Sequence, residues 1–352
     1  MAMLADSVEV VIGVDTHKHT HTAAVVATAT GHTLATLTAA TTPAGYQQLL
    51  ELADQHDRRR VWAIEGTGGY GAGLTRFLHS HHEQVVELDR PKRAARRHGA
   101  KSDPLDATRA AREALGRDQL AQPRATGPRA ALSVRLAARR SAVQAAGDTQ
   151  RQLHALVVAA PPALQGRLGS ARSTRQLVAA CARLRAYSDW DVETLHTAAT
   201  LRTLARRIRE LTAEAADHRQ AILGLVRAWR PDLLARPGVG PIVAATVLCA
   251  WSHPGRCRSD AAFAMLGGAA PIPASSGQTV RVRLNRSGDR QLNQALYTAV
   301  LTRLRIDPAT RAYATRRRAQ GKTNREIKRC LVRYVARQLY RLLETQPALD
   351  PT

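Results

Sequence analysis

Four acidic residues occupy positions from which their carboxylates could hold metal ions together. Asp15 and Glu65 each end a run of β-branched and apolar residues that is typical of a buried strand. Asp103 and Asp106 are three residues apart, which places them on one face of a predicted helix. Divalent cations such as Mg²⁺ prefer oxygen ligands, and two such ions about 3.5–4 Å apart need several shared carboxylates. In that arrangement one ion activates a nucleophile and the other stabilises the leaving oxygen of a phosphodiester.

Each acid also has a plain structural explanation. A strand-end aspartate such as Asp15 is ordinary, and Ser102 or Asp103 would cap the helix that has Pro104 in its first turn. Capping explains Asp103 well and Asp106 less well, because two nearby like charges cost stability unless a cation or hydrogen bonds offset them. Taken as a set, the acids favour a metal site.

The elements that must position these acids follow from the hydrophobic pattern. Three strands in succession, the first of them ending at Asp15, are typical of a ribonuclease-H-like α/β domain. Two further strands follow, and helices are predicted to begin at Thr42 and after Gly66. The five predicted strands span residues 8–15, 21–28, 33–38, 60–65 and 84–88.

The remainder of the chain is predicted to be mostly α-helical. Apolar residues between 201 and 229 recur at alternating gaps of three and four, which predicts a coiled coil whose partner helix lies either in this chain or in a second copy. Gly238-Val-Gly240 predicts a helix-hairpin-helix turn whose backbone N–H groups meet a phosphate, with a plain interhelical turn as the alternative. We predict three domains, at residues 1–120, 121–230 and 231–352.

The distribution of charge points to nucleic acid. The first 90 residues hold 10 acids against 6 bases, whereas the rest holds 18 acids against 46 bases, and the whole chain has a formal net charge of +24. This division suits a metal-dependent domain joined to a phosphate-binding surface, although a general preference for arginine is the alternative. Candidate nucleic-acid-binding residues are Arg93, Arg96, Arg97, Gly238, Gly240, Arg281, Arg283 and Arg286.

Several other features bear on location and on metal binding. No apolar run approaches the roughly 18–20 residues of a bilayer span, the N-terminus lacks a basic signal-peptide region, and the four cysteines are scattered as reduced thiols would be. We therefore predict a cytoplasmic, nucleoid-associated protein. His17, His19 and His21 alternate, and we interpret them as a surface cluster on one face of a strand rather than as a metal site.

With these motifs in place, the chain resembles the transposases of the insertion sequence 110 family, which are DEDD recombinases with a RuvC-like N-terminal domain. The order and spacing of the motifs carry this resemblance over nearly the whole chain. The motifs are Gly13-Val-Asp15-Thr-His-Lys, Ile64-Glu65-Gly-Thr-Gly-Gly-Tyr70, Lys101-Ser-Asp103-Pro-Leu-Asp106, Pro237-Gly-Val-Gly-Pro241, residues 271–277 and Ser287-Gly-Asp-Arg-Gln-Leu292.

The resemblance implies specific roles. It makes Asp15, Glu65, Asp103 and Asp106 a tetrad that binds Mg²⁺, with Mn²⁺ as a substitute. It makes Ser276 the nucleophile that attaches covalently to DNA, with Ser275 as its rival. The family pattern often has more glycine and lysine after this serine, where Gln278 and arginines stand here. The implied partners are donor and target DNA, an element-encoded structured guide RNA (a bridge RNA), and further copies of the chain in a dimer or tetramer.

Three other functions compete with this interpretation. A junction-resolving endonuclease of the same fold would use water as its nucleophile. A sugar-kinase-like or actin-like ATPase would place glycines directly after the first acid, where this chain has Thr16, His17 and Lys18. A non-catalytic DNA-binding protein would use its acids only to cap helices.

Overall fold

The computed structural model describes residues 4–56, 59–88, 102–117, 120–169, 171, 173–273, 282–283, 285 and 287–345. The chain forms two compact units, Met1–Thr126 and Gly127–Thr352. The predicted boundary near residue 120 lies close to this division. The predicted boundary near residue 230 lies inside the second unit, so the three-domain division stays a prediction.

The N-terminal unit is built on a five-stranded mixed sheet with the strand order β3-β2-β1-β4-β5. β1, β2 and β3 form an antiparallel meander, while β4 is parallel to β1 and β5 is parallel to β4. This mixed sheet fits the predicted ribonuclease-H-like, RuvC-like class. The elements are α1 (Leu4–Ser7), β1 (Val10–Thr16), β2 (Thr20–Ala27), β3 (Thr33–Ala40), α2 (Pro43–Asp54), β4 (Arg60–Glu65), α3 (Ala72–Ser80), β5 (Val85–Leu88) and α4 (Asp103–Leu115).

Both faces of the central strands are buried. Ile12 and Trp62 belong to a cluster with residues of α2 and α3, whereas Val11 and Val61 belong to a cluster with alanines of α4. Because side chains alternate between the faces of a strand, a strand that is covered on both sides reads as a continuous apolar run. β1 therefore holds Asp15 at the end of a rigid, buried element.

The C-terminal unit is helical apart from one short strand pair. β6 and β7 are antiparallel, with Ile272 paired to Arg283. Within the described ranges, every helix is too short or too polar to cross a membrane. The elements are α5 (Pro128–Val158), α6 (Pro162–Leu168), α7 (Thr174–Ala182), α8 (Val192–Trp229), a 3₁₀ turn (Pro231–Leu233), α9 (Pro241–Trp251), α10 (Asp260–Leu266), β6 (Ile272–Pro273), β7 (Val282–Arg283), α11 (Arg290–Ile306), α12 (Pro308–Ala319) and α13 (Asn324–Thr345).

The heptad-spaced residues of α8 contact α5 of the same chain. Leu132 near the start of α5 shares a buried cluster with Ile222 near the end of α8. Leu153 near the end of α5 shares another with Leu201 and Leu204. The two long helices are therefore antiparallel neighbours. The sequence left open whether the partner helix of α8 lies in this chain or in a second copy, and the structure shows a partner, α5, in this chain.

The last helices pack around α9 in the same cluster that contains Leu132 and Ile222, and this cluster includes residues of α11 and α13. Arg230, at the end of α8, is buried and donates hydrogen bonds to the Leu342 and Leu343 carbonyls and to the Asp232 carboxylate. A buried guanidinium thereby satisfies the carbonyls that the end of α13 leaves without helical partners. A capping box begins α13, since the Thr323 N–H donates to the Glu326 carboxylate at 2.9 Å and the Glu326 N–H donates to the Thr323 hydroxyl at 3.3 Å.

Candidate active site

Asp15 and Glu65 stand at the same edge of the sheet. β1 and β4 are parallel neighbours with Val14 beside Ile64, so both strands end side by side on an acid. The Thr16 hydroxyl donates to the Glu65 carbonyl at 3.0 Å, which ties the two strand ends together. The Asp15 side chain is 16% exposed, so its carboxylate lies mostly inside the edge.

Gly13 determines how close α4 comes to β1. A Cβ atom at this position would lie well under 3.0 Å from the Ala107 carbonyl oxygen and the Ala111 nitrogen, both in the backbone of α4. Only glycine allows this approach, because any side chain would push the helix away from the strand. The first turn of α4, which carries Asp103 and Asp106, is thereby held against the strand that carries Asp15.

Two carboxylates and one imidazole gather at this edge. The His17 Nε2 atom lies 3.1 Å from the Asp15 Oδ2 atom and 3.6 Å from the Asp103 Oδ1 atom. One ligand atom from each of the three residues falls within 4.8 Å of the others. His17 and Asp103 are each nearly half exposed, so the cluster opens to solvent. We call these three residues the acid–imidazole cluster.

The other two predicted ligands lie outside this cluster of described residues. The Asp106 carboxylate accepts a hydrogen bond from Arg109, one helical turn further along α4, at 2.9 Å. Glu65 occupies the end of the neighbouring strand. The carboxylate donors at this edge are of the type that binds a divalent cation, and an imidazole nitrogen is a further common ligand.

The capping explanation for the acids of α4 has limited support. Ser102 occupies the N-cap position, but its side chain makes no capping hydrogen bond. Asp103 is the first residue of the helix, and its carboxylate lies beside His17 instead. Acids in the first turn still benefit from the helix dipole, so part of the reason for Asp103 and Asp106 is structural.

The interpretation of the three histidines as a surface cluster on one strand was wrong. β1 ends at Thr16 and β2 begins at Thr20, so His17 and His19 lie in the turn and only His21 lies on a strand. His17 joins Asp15 and Asp103. His21 is buried and stacks on the Tyr46 ring at 5.8 Å between centroids, and this burial lowers the pKa of His21. The alternating histidines are compatible with a strand, so they did not reveal the turn at residues 17–19.

The Gly238-Val-Gly240 turn packs against α11. Gly238 has a φ of +76°, and a Cβ atom there would lie well under 3.0 Å from the Ala299 carbonyl oxygen. Gly240 precedes α9 as its N-cap, is exposed, and has open space around its Cβ position. The turn lines a cleft of about 750 Å³ together with Arg219 and Arg236. Packing therefore explains why position 238 is a glycine, whereas it does not explain the glycine at position 240.

The remaining predicted site residues are distributed as follows. Arg283 is described, exposed and part of β7. The two candidate nucleophiles fall in the chain between β6 and β7. The residues outside the described ranges are Ser275, Ser276, Arg93, Arg96, Arg97, Arg281 and Arg286.

Comparison with known proteins assigns both units to one kind of protein. Residues 12–162 match the family model of the DEDD transposases of IS110, described as transposase. Residues 232–315 match the model described as the transposase IS116/IS110/IS902 family. The first match contains all four acids, and the second contains the Gly238 turn and Ser276.

Two insertion-element proteins are similar to parts of the chain. The IS110 uncharacterized 43.6 kDa protein of Streptomyces coelicolor is 33% identical over 114 residues, covering 32% of this chain and 28% of that protein. The IS900 uncharacterized 42 kDa protein of Mycobacterium paratuberculosis is 30% identical over 152 residues, covering 42% of this chain and 38% of that protein. The matched stretches therefore span well under half the length of these relatives.

The fold and the acidic edge define a ribonuclease-H-like unit of the DEDD type. The chain belongs to the IS116/IS110/IS902 transposase family.

Proposed function

We propose that this chain is a DNA transposase that cleaves and rejoins phosphodiester bonds at the edge formed by β1, β4 and α4. The observation that carries the proposal is the acid–imidazole cluster of a chain that belongs to this family. The cluster lies at the edge of the sheet where β4 ends at Glu65. Carboxylates that share so small a space repel one another, and a divalent cation would offset that repulsion.

The acids would act as ligands for Mg²⁺, or for Mn²⁺ in its place. Asp15 and Asp103 both contact His17. Glu65 lies at the end of β4, and Asp106 lies in the first turn of α4. When bound, a divalent ion supplies positive charge that stabilises the developing charge on the phosphodiester. The buried strand β1 and the close fit of α4 at Gly13 keep the acids in place.

Ser276 is the proposed nucleophile, and Ser275 is its rival. Attack of the serine oxygen on phosphorus releases the leaving oxygen of the DNA strand and forms a serine–phosphate bond. This bond conserves the phosphodiester energy that is needed to join a new end, which hydrolysis by water would lose. A serine hydroxyl is a weak nucleophile unless a base or a metal activates it, so the reaction depends on the acids as well.

The proposed partners are donor and target DNA, a guide RNA encoded by the element, and further copies of the chain. Guide pairing would read sequence while basic protein surface reads the backbone. Contacts to the backbone would come from the Gly240 turn, from Arg281, Arg283 and Arg286, and from Arg93, Arg96 and Arg97. Because α5 covers the seam of α8, a coiled coil between chains would use other faces of these helices.

Substitution of the acids tests the catalytic edge. Asp15→Asn and Asp106→Asn should each reduce strand exchange by at least about a thousandfold, since a charge that organises the transition state is lost. Asp189→Asn, an exposed acid between α7 and α8, is the matched control and should retain parental activity. Recombination at the parental rate by both acid variants would refute the assignment.

Capture of a covalent complex tests the nucleophile. Protein, guide RNA and divalent cation are incubated with a nicked DNA substrate, and a denaturing gel is examined for a slow band that protease removes. Ser276→Ala should lose the band and keep nucleic-acid binding, whereas Ser275→Ala should keep both. The reverse result would move the role to Ser275. Active protein without any adduct would favour the water-driven endonuclease, and absence of metal-dependent cleavage would favour a non-catalytic DNA-binding protein.

A further inference from the structure

The hairpin formed by α12 and the first half of α13 carries a high density of positive charge. Residues 308–334 contain nine lysines and arginines and a single acid, Glu326. Glu326 is occupied by the capping box, where its carboxylate accepts from the Thr323 backbone and hydroxyl. We call this stretch the basic hairpin. It extends past residue 315, where the second family match ends.

The cations of the basic hairpin are largely without acidic partners. Among the described residues, the ion pair inside this stretch joins Lys322 to Glu326 at 3.9 Å. Further along α13 the situation changes, because Arg337 and Arg341 both pair with Asp260. The exposed bases are Arg311, Arg316, Arg318, Lys322, Arg325 and Arg329.

The bases of α13 are regularly spaced. Arg325, Arg329 and Arg333 stand four residues apart, so they follow one another along one side of the helix at intervals of about 6 Å. Like charges at this spacing repel each other and slightly destabilise an isolated helix. A polyanion that lies along the helix would convert this repulsion into attraction.

An exposed aromatic side chain lies further along α13, where this helix meets α12. Tyr334 is 54% exposed, and its ring meets that of Tyr313 at 5.8 Å in an edge-to-face arrangement. The Arg316 guanidinium lies 5.5 Å from the centre of the Tyr313 ring. Tyr313 therefore supports Tyr334 from one side, while much of Tyr334 remains open to solvent. Exposed aromatic rings between cations are how proteins stack the bases of single-stranded nucleic acid.

We propose that the basic hairpin binds a single-stranded segment of nucleic acid that crosses α13, with phosphates on Arg325 and Arg329 and a base stacked on Tyr334, which helical spacing places on another side of the helix. An unpaired base is required because the bases of a duplex are already stacked on one another. The proposal deepens the proposed function and rests on it only for the source of the strand, which is either DNA opened during exchange or an unpaired part of a guide RNA.

Binding by the full chain tests the proposal in EDTA, so that catalysis plays no part. Fluorescence anisotropy is measured with oligothymidylate, oligouridylate and a DNA duplex of equal length over a range of salt. The double variant Arg325→Gln/Arg329→Gln should weaken oligothymidylate binding on the order of tenfold and lower the salt slope by about 1.4, since two phosphate contacts are lost. The matched control Arg206→Gln/Arg207→Gln removes the same charge from exposed positions of α8 and should leave the slope unchanged.

Substitution of the tyrosine separates stacking from charge. Tyr334→Ala should weaken single-strand binding on the order of tenfold without a change in salt slope, and Tyr334→Trp should restore it. Binding of the duplex should not change in either variant. Hydrogen exchange of α13 must match the parent in each variant, and a position that fails this check is replaced by Arg329→Met, which removes the charge, or Tyr334→Leu, which removes the ring.

The outcomes are distinct. Tighter binding of oligouridylate assigns the site to RNA, and tighter binding of oligothymidylate assigns it to DNA. Equal losses in the α13 and α8 arginine variants, or an equal effect of Tyr334→Ala on the duplex, would overturn the proposal. Asp15→Asn should bind as the parent does, so a failure of recombination leaves the binding result standing, and the reverse also holds.

Discussion

The two units use charge in opposite ways. In the N-terminal unit a few acids are held by buried backbone, at the ends of β1 and β4 and in the first turn of a helix packed on Gly13. In the C-terminal unit many bases project from the outer faces of helices whose cores are formed by other residues. The acidic edge should therefore be sensitive to changes in the core beneath it. The basic surfaces should tolerate changes one at a time.

Both units bury an ion pair, Arg60 with Glu83 in the N-terminal unit and Arg230 with Asp232 in the C-terminal unit. Arg60 and Glu83 are 6% and 13% exposed, and the carboxylate accepts from Arg60 at 2.6 and 3.0 Å and from the Trp62 indole at 2.7 Å. Arg60 also donates to the Ala53 carbonyl and to Asp54, so it joins α2 to the sheet. A second acid of the C-terminal unit, Asp260, pairs with Arg337 and Arg341, which are both more exposed than Arg230.

The largest effect on stability is expected from Glu83→Gln, at about 4 kcal/mol, because the buried guanidinium of Arg60 loses its buried counter-ion and keeps only the more exposed Asp54. Hydrogen exchange localised to β4 and β5 measures the change. Glu51→Gln, an exposed glutamate of α2, is the matched control and should cost less than about 0.5 kcal/mol. Similar protection of β4 in the two variants would show that the ion pair contributes little.

The same pair predicts a dependence on pH. Burial alone would raise the pKa of Glu83, but hydrogen bonds from Arg60 and Trp62 outweigh it and lower the pKa below the ordinary value of 4.5. A carboxyl whose pKa is lower when folded contributes stability above its unfolded pKa, and this contribution is lost as the pH falls through the folded pKa. The difference between parent and Glu83→Gln should therefore shrink in acid below about pH 4.5. A difference that stays constant to the acid limit would contradict this assignment.

Gly13→Ala comes next, with an expected cost of about 3 kcal/mol and a loss of metal binding, because a methyl group cannot fit against the backbone of α4. Gly68→Ala is the matched control, since nothing lies within 4 Å of the Cβ position there. Thermal unfolding and Mn²⁺ titration measure the two effects. A stable Gly13→Ala protein that still binds Mn²⁺ would show that α4 is free to move away from β1.

Hydrophobic pattern was sufficient for the N-terminal unit. The three successive strands and the two further strands are present as predicted, and the predicted span of 60–65 agrees with β4. The parallel pairing of β4 with β1 and of β5 with β4 was not predicted. Alternation and continuous apolar runs report burial directly, so a strand covered on both faces is visible in one sequence. The placement of Asp15 and Glu65 at one edge followed from the parallel pairing of their strands.

Other features needed contacts between distant residues. His17 was assigned to a strand because alternation cannot reveal where a turn begins, and its approach to Asp103 depends on the fit of α4 at Gly13. The seam of α8 required a partner, but its pattern is the same whether the partner helix is in the chain or outside it. Tyr334 falls at helical spacing with the apolar residues of α13, so the sequence pattern did not reveal that its side chain is 54% exposed.

A smaller effect is expected from the two glycines of the Gly238-Val-Gly240 turn, whose substitution separates packing from phosphate binding. Gly238→Ala should cost about 2 kcal/mol, because its φ is positive and the α11 backbone occupies the Cβ position. Gly240→Ala should leave stability unchanged, since its surroundings are open. If the turn approaches a phosphate, Gly240→Ala should nevertheless weaken duplex DNA binding in an anisotropy assay. Unchanged binding would leave Gly238 with its packing role and the turn as a plain connection.

The smallest effect, about 1.4 kcal/mol or tenfold in affinity, is expected for metal binding on His17→Ala. The His17 imidazole lies 3.1 Å from the Asp15 carboxylate and 3.6 Å from the Asp103 carboxylate, and imidazole suits first-row transition ions better than it suits Mg²⁺. The variant should therefore bind Co²⁺ about tenfold more weakly, as judged by visible absorption, while displacement of Co²⁺ by Mg²⁺ becomes easier. His19→Ala, an exposed residue of the same turn, is the matched control. Equal Co²⁺ spectra and affinities in the two variants would limit His17 to positioning the carboxylates, and the ion would then be held by oxygen alone.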